Sequence, residues 1–194
     1  MADDLTEILP TIPVLAGWQG TPQRLGGLTN RVWRVGGYVL RLPGPGTEAY
    51  INRRDEAAAA HAAARAGVSP AVVFVDPTSG IMVTRFIAGT VTMTPKLFAI
   101  RPGAVARAAL ALRQLHQSGE TFPARFELFA MIDDYLRLLA GTDVALPEGY
   151  HAAVAEAGMV RAALAAQDAA LAPCHCDPLC ENFLDTPDRM WLVD

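Results

Sequence analysis

The fold is decided by the stretch PCHCDPLCENFLD, residues 173–185. It contains a His-x-Asp sequence and an Asn five residues after the Asp, namely His175, Asp177 and Asn182. We expect Asp177 to stand at the end of a short strand and to point into a cleft. The turn that follows brings the Asn182 side chain back beside it, so that a carboxylate and an amide oxygen face the same space.

This spacing is that of a kinase catalytic loop, in which the Asp takes the proton of the acceptor hydroxyl and the Asn holds a metal ion. The segment MWLVD, residues 190–194, indicates a short buried strand that delivers a second acid. Asp194 then stands where kinases place the Asp that binds magnesium. Three polar residues at these offsets also recur by chance, and the alternative is a loop that has only a structural role. The rest of the chain is needed to choose between the two interpretations.

A zinc site is the alternative for the same stretch. Cys174, His175, Cys176 and Cys180 are soft ligands within seven residues. In an extended segment, however, His175 projects opposite its two neighbours. The sequence has no Cys-x-x-Cys pair and no second cluster that would complete a tetrahedral site. We therefore predict unligated thiols in a packed loop.

The composition is that of a soluble globular protein. The 194 residues are 52% hydrophobic and 19% charged, and the net charge of −4 comes without a basic block, so nucleic acid is not an expected partner. The start, MADD, is acidic where a signal peptide needs basic residues. No apolar run approaches the ~20 residues of a membrane span. Three cysteines clustered in one loop favour a reducing cytoplasm over a disulfide framework.

The first part of the chain predicts three antiparallel strands. The strands lie in residues 23–35 and 38–42. Val32 and Arg34 alternate roughly with Trp33 and Val35, and Gly36-Gly37 is a hairpin signal. Gly26-Gly27 marks the first turn. Adjacent glycines let backbone N–H groups approach an anion closely, and Thr29 and Asn30 add side-chain donors. An ordinary hairpin turn is the alternative; a P-loop is excluded, because Gly-x4-Gly-Lys-Ser/Thr is absent.

A helix follows over residues 52–67 and ends at Gly67. Glu56 lies in its first turns, where it can reach Arg41 on the preceding strand. A basic strand residue paired with a helix Glu is the device by which kinases grip nucleotide phosphates. The alternative is a surface ion pair worth about 0–1 kcal/mol.

The order of elements predicts an α+β fold with two lobes. Residues 71–76 and 81–87 read as strands, and Ala88-Gly89 is a break. The chain then turns helical, with helices at 103–117 and 150–170 and, between them, an apolar stripe at helical spacing: Phe129, Ile132, Leu136 and Leu139. We place the domains at residues 1–88, a nucleotide-binding lobe, and 89–194, a helical lobe with the catalytic loop.

Taken together, the motifs resemble one family. They are LGGLTN (25–30), YVLR (38–41), INR (51–53) with Glu56, GVSP (67–70), LH (115–116), HCDPLCENFL (175–184) and LVD (192–194). In this order they resemble the choline/ethanolamine kinases, in particular the bacterial choline kinases, within the aminoglycoside-phosphotransferase-like superfamily. The resemblance implies a two-lobed protein-kinase-like fold, with an antiparallel sheet in the N-lobe and a mainly helical, incomplete C-lobe.

The resemblance also implies roles for individual residues, with ATP and Mg²⁺ as cofactors. Gly26, Gly27, Thr29 and Asn30 would cover the ATP phosphates. Arg41 would contact the phosphates and pair with Glu56. Backbone groups of Arg85 and Ile87 would hold the adenine. Asp177 would be the catalytic base, and Asn182 and Asp194 would bind magnesium, whereas His175 and His116 would be structural.

Members of this family continue past the position of Asp194, and their pocket for the choline headgroup lies largely in that later part. We therefore expect a C-terminally truncated kinase that is not an active choline kinase by itself, although the complete reading frame is. The expected substrate is choline or ethanolamine. The alternatives are an aminoglycoside or another small amino alcohol, or a non-catalytic nucleotide-binding remnant.

Overall fold

The structure is a computed structural model that describes residues 5–27, 30–47, 51–167 and 170–194. The chain divides into two compact units. One consists of Met1–Ala124 together with Ala172–Asp194, and the other is Arg125–Leu171. The first contains two antiparallel sheets and four helices among its described residues, so the expectation of an α+β fold is confirmed. The lobe boundary at residue 88 stays a prediction.

The larger sheet of the first unit has five strands in the order β1-β2-β3-β5-β4, and every neighbouring pair is antiparallel. The three strands expected in residues 23–42 are all present. The bounds are β1 (Gln23–Gly26), β2 (Arg31–Val35), β3 (Tyr38–Leu42), β4 (Val72–Val75) and β5 (Met82–Arg85).

One face of this sheet forms a core with the start of the chain. Trp33 and Val35 of β2 are buried while Arg34 between them is exposed, as the period of a strand requires. Helix α1 (Leu5–Ile8) and a short 3₁₀ turn (Leu9–Thr11) precede the buried Ile12 and Leu15, which pack in the same cluster as these strand residues. The N-terminal segment thus covers the sheet and fixes its apolar face.

Helix α2 (Arg53–Arg65) begins where the sequence predicts, because Asn52 is a good N-cap residue. Its side-chain oxygen accepts hydrogen bonds from the backbone N–H groups of Arg54 and Asp55. The chain leaves the helix through Gly67, whose φ of 72° is left-handed. The cap fixes the first turn of α2, which carries Glu56.

The smaller sheet consists of β6 (Val91–Thr92), β7 (Phe183–Asp185) and β8 (Met190–Leu192), paired antiparallel in that order. The strand predicted in residues 190–194 is present as β8, whereas β6 and β7 were not predicted. Strand β6 has only two residues, which is too short for an alternating pattern, and its partner β7 lies far along the chain. Helix α3 (Pro95–Ile100), capped by the Thr94 hydroxyl, was also missed.

Helix α4 (Ala104–His116) forms the second core with this sheet. Its buried residues lie on one face at helical spacing, and they pack against the buried side chains of β7 and β8. The buried residues are Ala104, Ala108, Ala111 and Leu115 on the helix and Phe183, Met190 and Leu192 on the strands. Small alanines let the helix approach the sheet closely.

The second unit contains helices α5 (Leu128–Ala140) and α6 (Tyr150–Ala165). The stripe of Phe129, Ile132, Leu136 and Leu139 lies on α5 and is half-buried, whereas most other positions of the helix are exposed. Helix α6 ends at Ala165, earlier than the predicted residue 170. No helix in the described ranges is both long and apolar enough to cross a membrane.

A buried carboxylate joins β7 to α4. The Asp185 side chain is fully buried, and it accepts hydrogen bonds from Arg107 at 2.7 and 2.8 Å and from Arg101 at 2.8 Å. The hydrogen bonds from Arg107 are the main reason why the pKa of Asp185 lies below its usual range. Two guanidinium groups therefore hold the strand that follows the catalytic loop.

Replacing Asp185 with Ala should lower the free energy of unfolding by about 3 kcal/mol, because two arginines would lose a buried partner while retaining some access to water. Urea titrations at pH 7 measure this. Asp188→Ala removes an exposed acid from the neighbouring β7–β8 turn and should change little.

The same titrations at lower pH test the ion pairs themselves. The pKa of Asp185 is lower in the folded than in the unfolded state, so its stabilisation is complete above the unfolded pKa. It is lost as the pH falls through the folded pKa, below the usual Asp range. Asp185→Asn should therefore show a shallower loss of stability on acidification. An acid profile identical to that of the wild type would contradict the anchoring role.

Candidate active site

The glycine turn after β1 brings the backbone very close to Asn30. Gly26 and Gly27 have φ values of 132° and 100°. A Cβ atom on Gly27 would lie 2.0 Å from the backbone oxygen of Asn30, so only glycine fits there. The Asn30 side chain donates a hydrogen bond to Asp194 Oδ1 at 3.2 Å. Thr29, the fourth residue predicted to cover the phosphates, lies outside the described residues.

Arg41 lies between two carboxylates. Its Nη2 is 2.6 Å from Glu56 Oε1, and its Nη1 donates to Asp194 Oδ1 at 3.2 Å. The side chains of Arg41 and Glu56 are only 14% and 19% exposed, whereas that of Asp194 is 53% exposed. The predicted ion pair between Arg41 of β3 and Glu56 of α2 is therefore present and largely buried. The more exposed Asp194 carboxylate lies beside it.

The residues of the predicted catalytic loop are held by hydrogen bonds to the loop's own backbone. The Asn182 amide donates to the Asp177 carbonyl at 3.0 Å, and the Leu179 N–H donates to the same oxygen at 2.9 Å. The turn closes with a 3₁₀ helix (Cys180–Asn182). The Asp177 side chain itself is exposed. This geometry fixes the backbone of the loop and leaves the Asp177 carboxylate accessible.

The short strand expected before Asp177 is absent from the described residues 170–176, so that expectation was wrong. Cys176 has a φ of 63°, which is left-handed and incompatible with an extended strand. Pro173 and Pro178 flank the segment and offer no backbone N–H for strand pairing. The chain reaches Asp177 through an irregular loop.

His175 and Val193 tie this loop to the end of β8. The His175 Nε2 lies 3.1 Å from the Val193 carbonyl, and it carries the proton because a carbonyl only accepts. The Val193 N–H donates in turn to the Asn182 carbonyl at 3.0 Å. Since Asp194 follows directly, the loop and the second acid are fixed to one another.

The thiols of this loop make no metal cluster with their neighbours in the described structure. Cys174, Cys176 and Cys180 are free. Burial is the main cause that raises the pKa of the Cys176 thiol, and the nearby Cys174 adds to it. Among the described residues, no three His, Cys, Asp or Glu side chains converge on one point.

The two residues predicted to hold the adenine lie where β5 ends. The Arg85 N–H donates to the Ala71 carbonyl at 2.9 Å, and its guanidinium stacks over the Tyr38 ring at 5.0 Å. The Ile87 carbonyl accepts a hydrogen bond from the Thr90 hydroxyl at 3.0 Å. A carbonyl oxygen accepts two hydrogen bonds, so Ile87 still offers an acceptor. The Arg85 N–H, in contrast, is already used by the protein, and the role of both residues stays a prediction.

The structure therefore brings Asn30, Arg41, Glu56 and Asp194 into one cluster, with Asp177 and Asn182 linked to it through Val193. It also adds a residue without a predicted role. Arg53 Nη1 lies 3.0 Å from Glu56 Oε2, so Glu56 is held by two arginines. The sequence does carry a signal for this contact, since residues three apart on a helix are neighbours.

The chain is similar to several known proteins. The model of the Phosphotransferase enzyme family (APH) matches residues 21–194. The crystal structure of a choline/ethanolamine kinase family protein from Mesorhizobium loti is 60% identical, with a TM-score of 0.91 over 99% of this chain and 63% of that one. A structure of LicA in complex with AMP is 24% identical, with a TM-score of 0.74 over 97% of this chain and 67% of that one.

The protein LicA of Haemophilus influenzae is 27% identical over 174 residues, which are 88% of this chain and 51% of that protein. The chain thus spans about half the length of this curated relative. The predicted resemblance to choline/ethanolamine kinases and the protein-kinase-like α+β fold are both confirmed. With nearly all of its residues matched by the family model, the chain belongs to the Phosphotransferase enzyme family.

Proposed function

We propose that this protein transfers the γ-phosphoryl group of ATP to the hydroxyl group of choline or ethanolamine. The observation that carries the proposal is the cluster of Asn30, Arg41 and Asp194, which lies beside the loop of Asp177 and Asn182. The relative that is 60% identical, a choline/ethanolamine kinase family protein, supports the choice of substrate.

The cluster fits the phosphates of a nucleotide. The N–H donors of Asn30 and Arg41 both reach the same anionic oxygen, Asp194 Oδ1, at 3.2 Å. Two donors that converge on one carboxylate oxygen are also arranged to bind a phosphate oxygen. Gly27 lets the backbone of the turn lie against the backbone of Asn30, which a side chain at position 27 would prevent. The LicA structure, which has the same fold, is a complex with AMP, and this supports the proposal that the chain binds a nucleotide.

Asn182 and Asp194 fit a Mg²⁺ ion. The Asn182 amide nitrogen is held by the Asp177 carbonyl, which orients the amide and leaves its oxygen as the ligand atom. The Asp194 carboxylate is 53% exposed and supplies a second hard oxygen. Sites of this kind hold Mg²⁺ with one or two protein oxygens and the phosphates of the substrate. The ion would neutralise negative charge on those phosphates.

Three residues of the chain then act in the phosphoryl transfer. The Asp177 carboxylate accepts the proton from the substrate hydroxyl as that oxygen bonds to the γ-phosphorus and the bond from the γ-phosphorus to the bridging oxygen breaks, which releases ADP. Arg41 stays in place beside Glu56 and stabilises negative charge on the phosphoryl oxygens. His175 keeps the loop against Val193, so that base and phosphate donors hold a fixed geometry.

An aminoglycoside or another small amino alcohol is the second candidate acceptor, because the family to which the chain belongs carries the name APH. A non-catalytic nucleotide-binding module is the third. The free thiols around Asp177 fit a reducing cytoplasm.

Phosphate transfer from ATP to choline, ethanolamine and a panel of aminoglycosides separates these candidates, in the 194-residue chain and in the complete reading frame. Transfer to aminoglycosides alone would contradict the choice of substrate.

In a full-length protein, Asp177→Asn should leave Mg-ATP binding intact and lower kcat by at least the ~10²–10⁴ that is typical of general-base loss. Its amide keeps the shape of the side chain and cannot take the proton. Steady-state phosphate transfer gives kcat, and calorimetry gives the dissociation constant for Mg-ATP. Asp188→Asn, in the exposed β7–β8 turn, is the matched control. Near-normal turnover by Asp177→Asn would remove this residue from the mechanism.

Gly27→Ala should weaken Mg-ATP binding roughly tenfold, about 1.4 kcal/mol, because a Cβ atom 2.0 Å from the Asn30 oxygen forces the phosphate-binding turn to move. Gly17→Ala is the control for backbone strain alone, since Gly17 has a φ of 82° and open space around its Cβ position. Calorimetry on both variants measures the difference. Equal affinities of the two variants for Mg-ATP would argue against a phosphate-binding role for the turn.

A further inference from the structure

We propose that Arg53 is a positioning residue, which holds Glu56 and, through Glu56, orients Arg41 toward the nucleotide. The role of Arg41 in binding the nucleotide rests on the proposed function, whereas the contacts of Arg53 do not. Arg53 lies in the first turn of α2, three residues before Glu56. Its side chain is only 9% exposed, which is unusual for an arginine and indicates that specific contacts hold it in the interior.

The two carboxylate oxygens of Glu56 have separate partners. Oε1 lies 2.6 Å from Arg41 Nη2, and Oε2 accepts a hydrogen bond from Arg53 Nη1 at 3.0 Å. A carboxylate that is held at both oxygens cannot rotate about its last bond. Arg53 therefore fixes the direction in which Glu56 presents Oε1 to Arg41.

Arg53 is anchored on its other side to the connection between β3 and α2. Its Nη2 donates a hydrogen bond to the Thr47 hydroxyl. Thr47 is buried, 1% exposed, and its hydroxyl donates in turn to the Gly44 carbonyl at 2.7 Å. The hydroxyl thus both accepts and donates, and the guanidinium bridges the loop after β3 and the helix that carries Glu56.

The turn between β4 and β5 confines the stem of Arg53. A Cβ atom on Gly80 would lie 2.6 Å from Arg53 Cδ and 2.9 Å from Pro43 Cγ. Gly80 also has a φ of 75°, which favours glycine. The missing side chain at Gly80 makes the space in which Arg53 lies, so three separate parts of the chain fix this one guanidinium.

These contacts require an arginine. The planar fork donates to Glu56 and Thr47 at the same time from different nitrogens, whereas a lysine ammonium is a compact point charge on a flexible stem. Arg53→Lys should therefore keep the charge beside Glu56 and lose the bridge. If the contact between Arg53 and Glu56 only stabilised the first turn of α2, a lysine at position 53 would largely preserve that stabilisation.

The test compares Arg53→Ala and Arg53→Lys with Arg54→Ala. Arg54 is the next residue of the same helix turn. It is exposed, and its side chain makes no hydrogen bond or ion pair with the described residues, so its replacement removes an equal charge without a polar contact. Calorimetry with Mg-ATP should show about tenfold weaker binding for Arg53→Ala, a smaller loss for Arg53→Lys, and a change of less than about twofold for Arg54→Ala. Urea unfolding checks that all three variants are folded.

A second measurement needs no nucleotide. In the wild type, the Arg41 guanidinium should give resolved NMR signals because its rotation is restricted, and Arg53→Ala should broaden them while Arg54→Ala leaves them unchanged. Equal Arg41 signals in the two variants would overturn the proposal. Absence of Mg-ATP binding by the wild type would instead contradict the proposed function, and the Arg41 signals would still decide the role of Arg53.

If Arg53→Ala does not fold, Gly80→Ala tests the same contact from the other side. Its Cβ atom displaces Arg53 without removing the guanidinium, and Gly119→Ala, at a φ of 73° with open space, controls for strain. We expect Gly80→Ala to broaden the Arg41 signals and Gly119→Ala to leave them as in the wild type. Unchanged signals in Gly80→Ala would overturn the positioning role.

Discussion

The structure depends on Arg41, a cation held between two carboxylates on different elements. Glu56 comes from α2 and lies 2.6 Å away, and Asp194 follows β8 and lies 3.2 Å away. A sheltered guanidinium needs such partners, because a buried charge without them is costly. The strand, the helix and the segment after β8 therefore meet at one point, which is where we propose that the nucleotide and the divalent cation bind.

The remaining contacts keep these three elements in register. The Leu192 N–H donates to the Val68 carbonyl at 2.8 Å, which ties β8 to the loop after α2. Asp185, held by Arg101 and Arg107, fixes β7 against α4. Since Asn182 precedes β7 and Asp194 follows β8, these structural contacts also set the places of the two proposed metal ligands.

The sequence predicted what local chemistry controls. Asn52 and Gly67 mark the ends of α2 by their own capping preferences. The glycines of the first hairpins mark the turns between β1, β2 and β3. Strand β6 was missed because its two residues are defined by a distant partner. The contact of Arg53 with Thr47 was missed for the same reason: it depends on how the loop folds back, and no spacing along the chain encodes that.

We propose that Asn182 and Asp194 hold the divalent cation together with ATP. The direct measurement replaces Mg²⁺ with paramagnetic Mn²⁺ and records the broadening of backbone amide NMR signals with and without ATP. We expect ATP-dependent broadening centred on Asn182 and Asp194, which Asp194→Asn greatly reduces. Broadening centred elsewhere in the chain, or broadening that Asp194→Asn leaves unchanged, would contradict it.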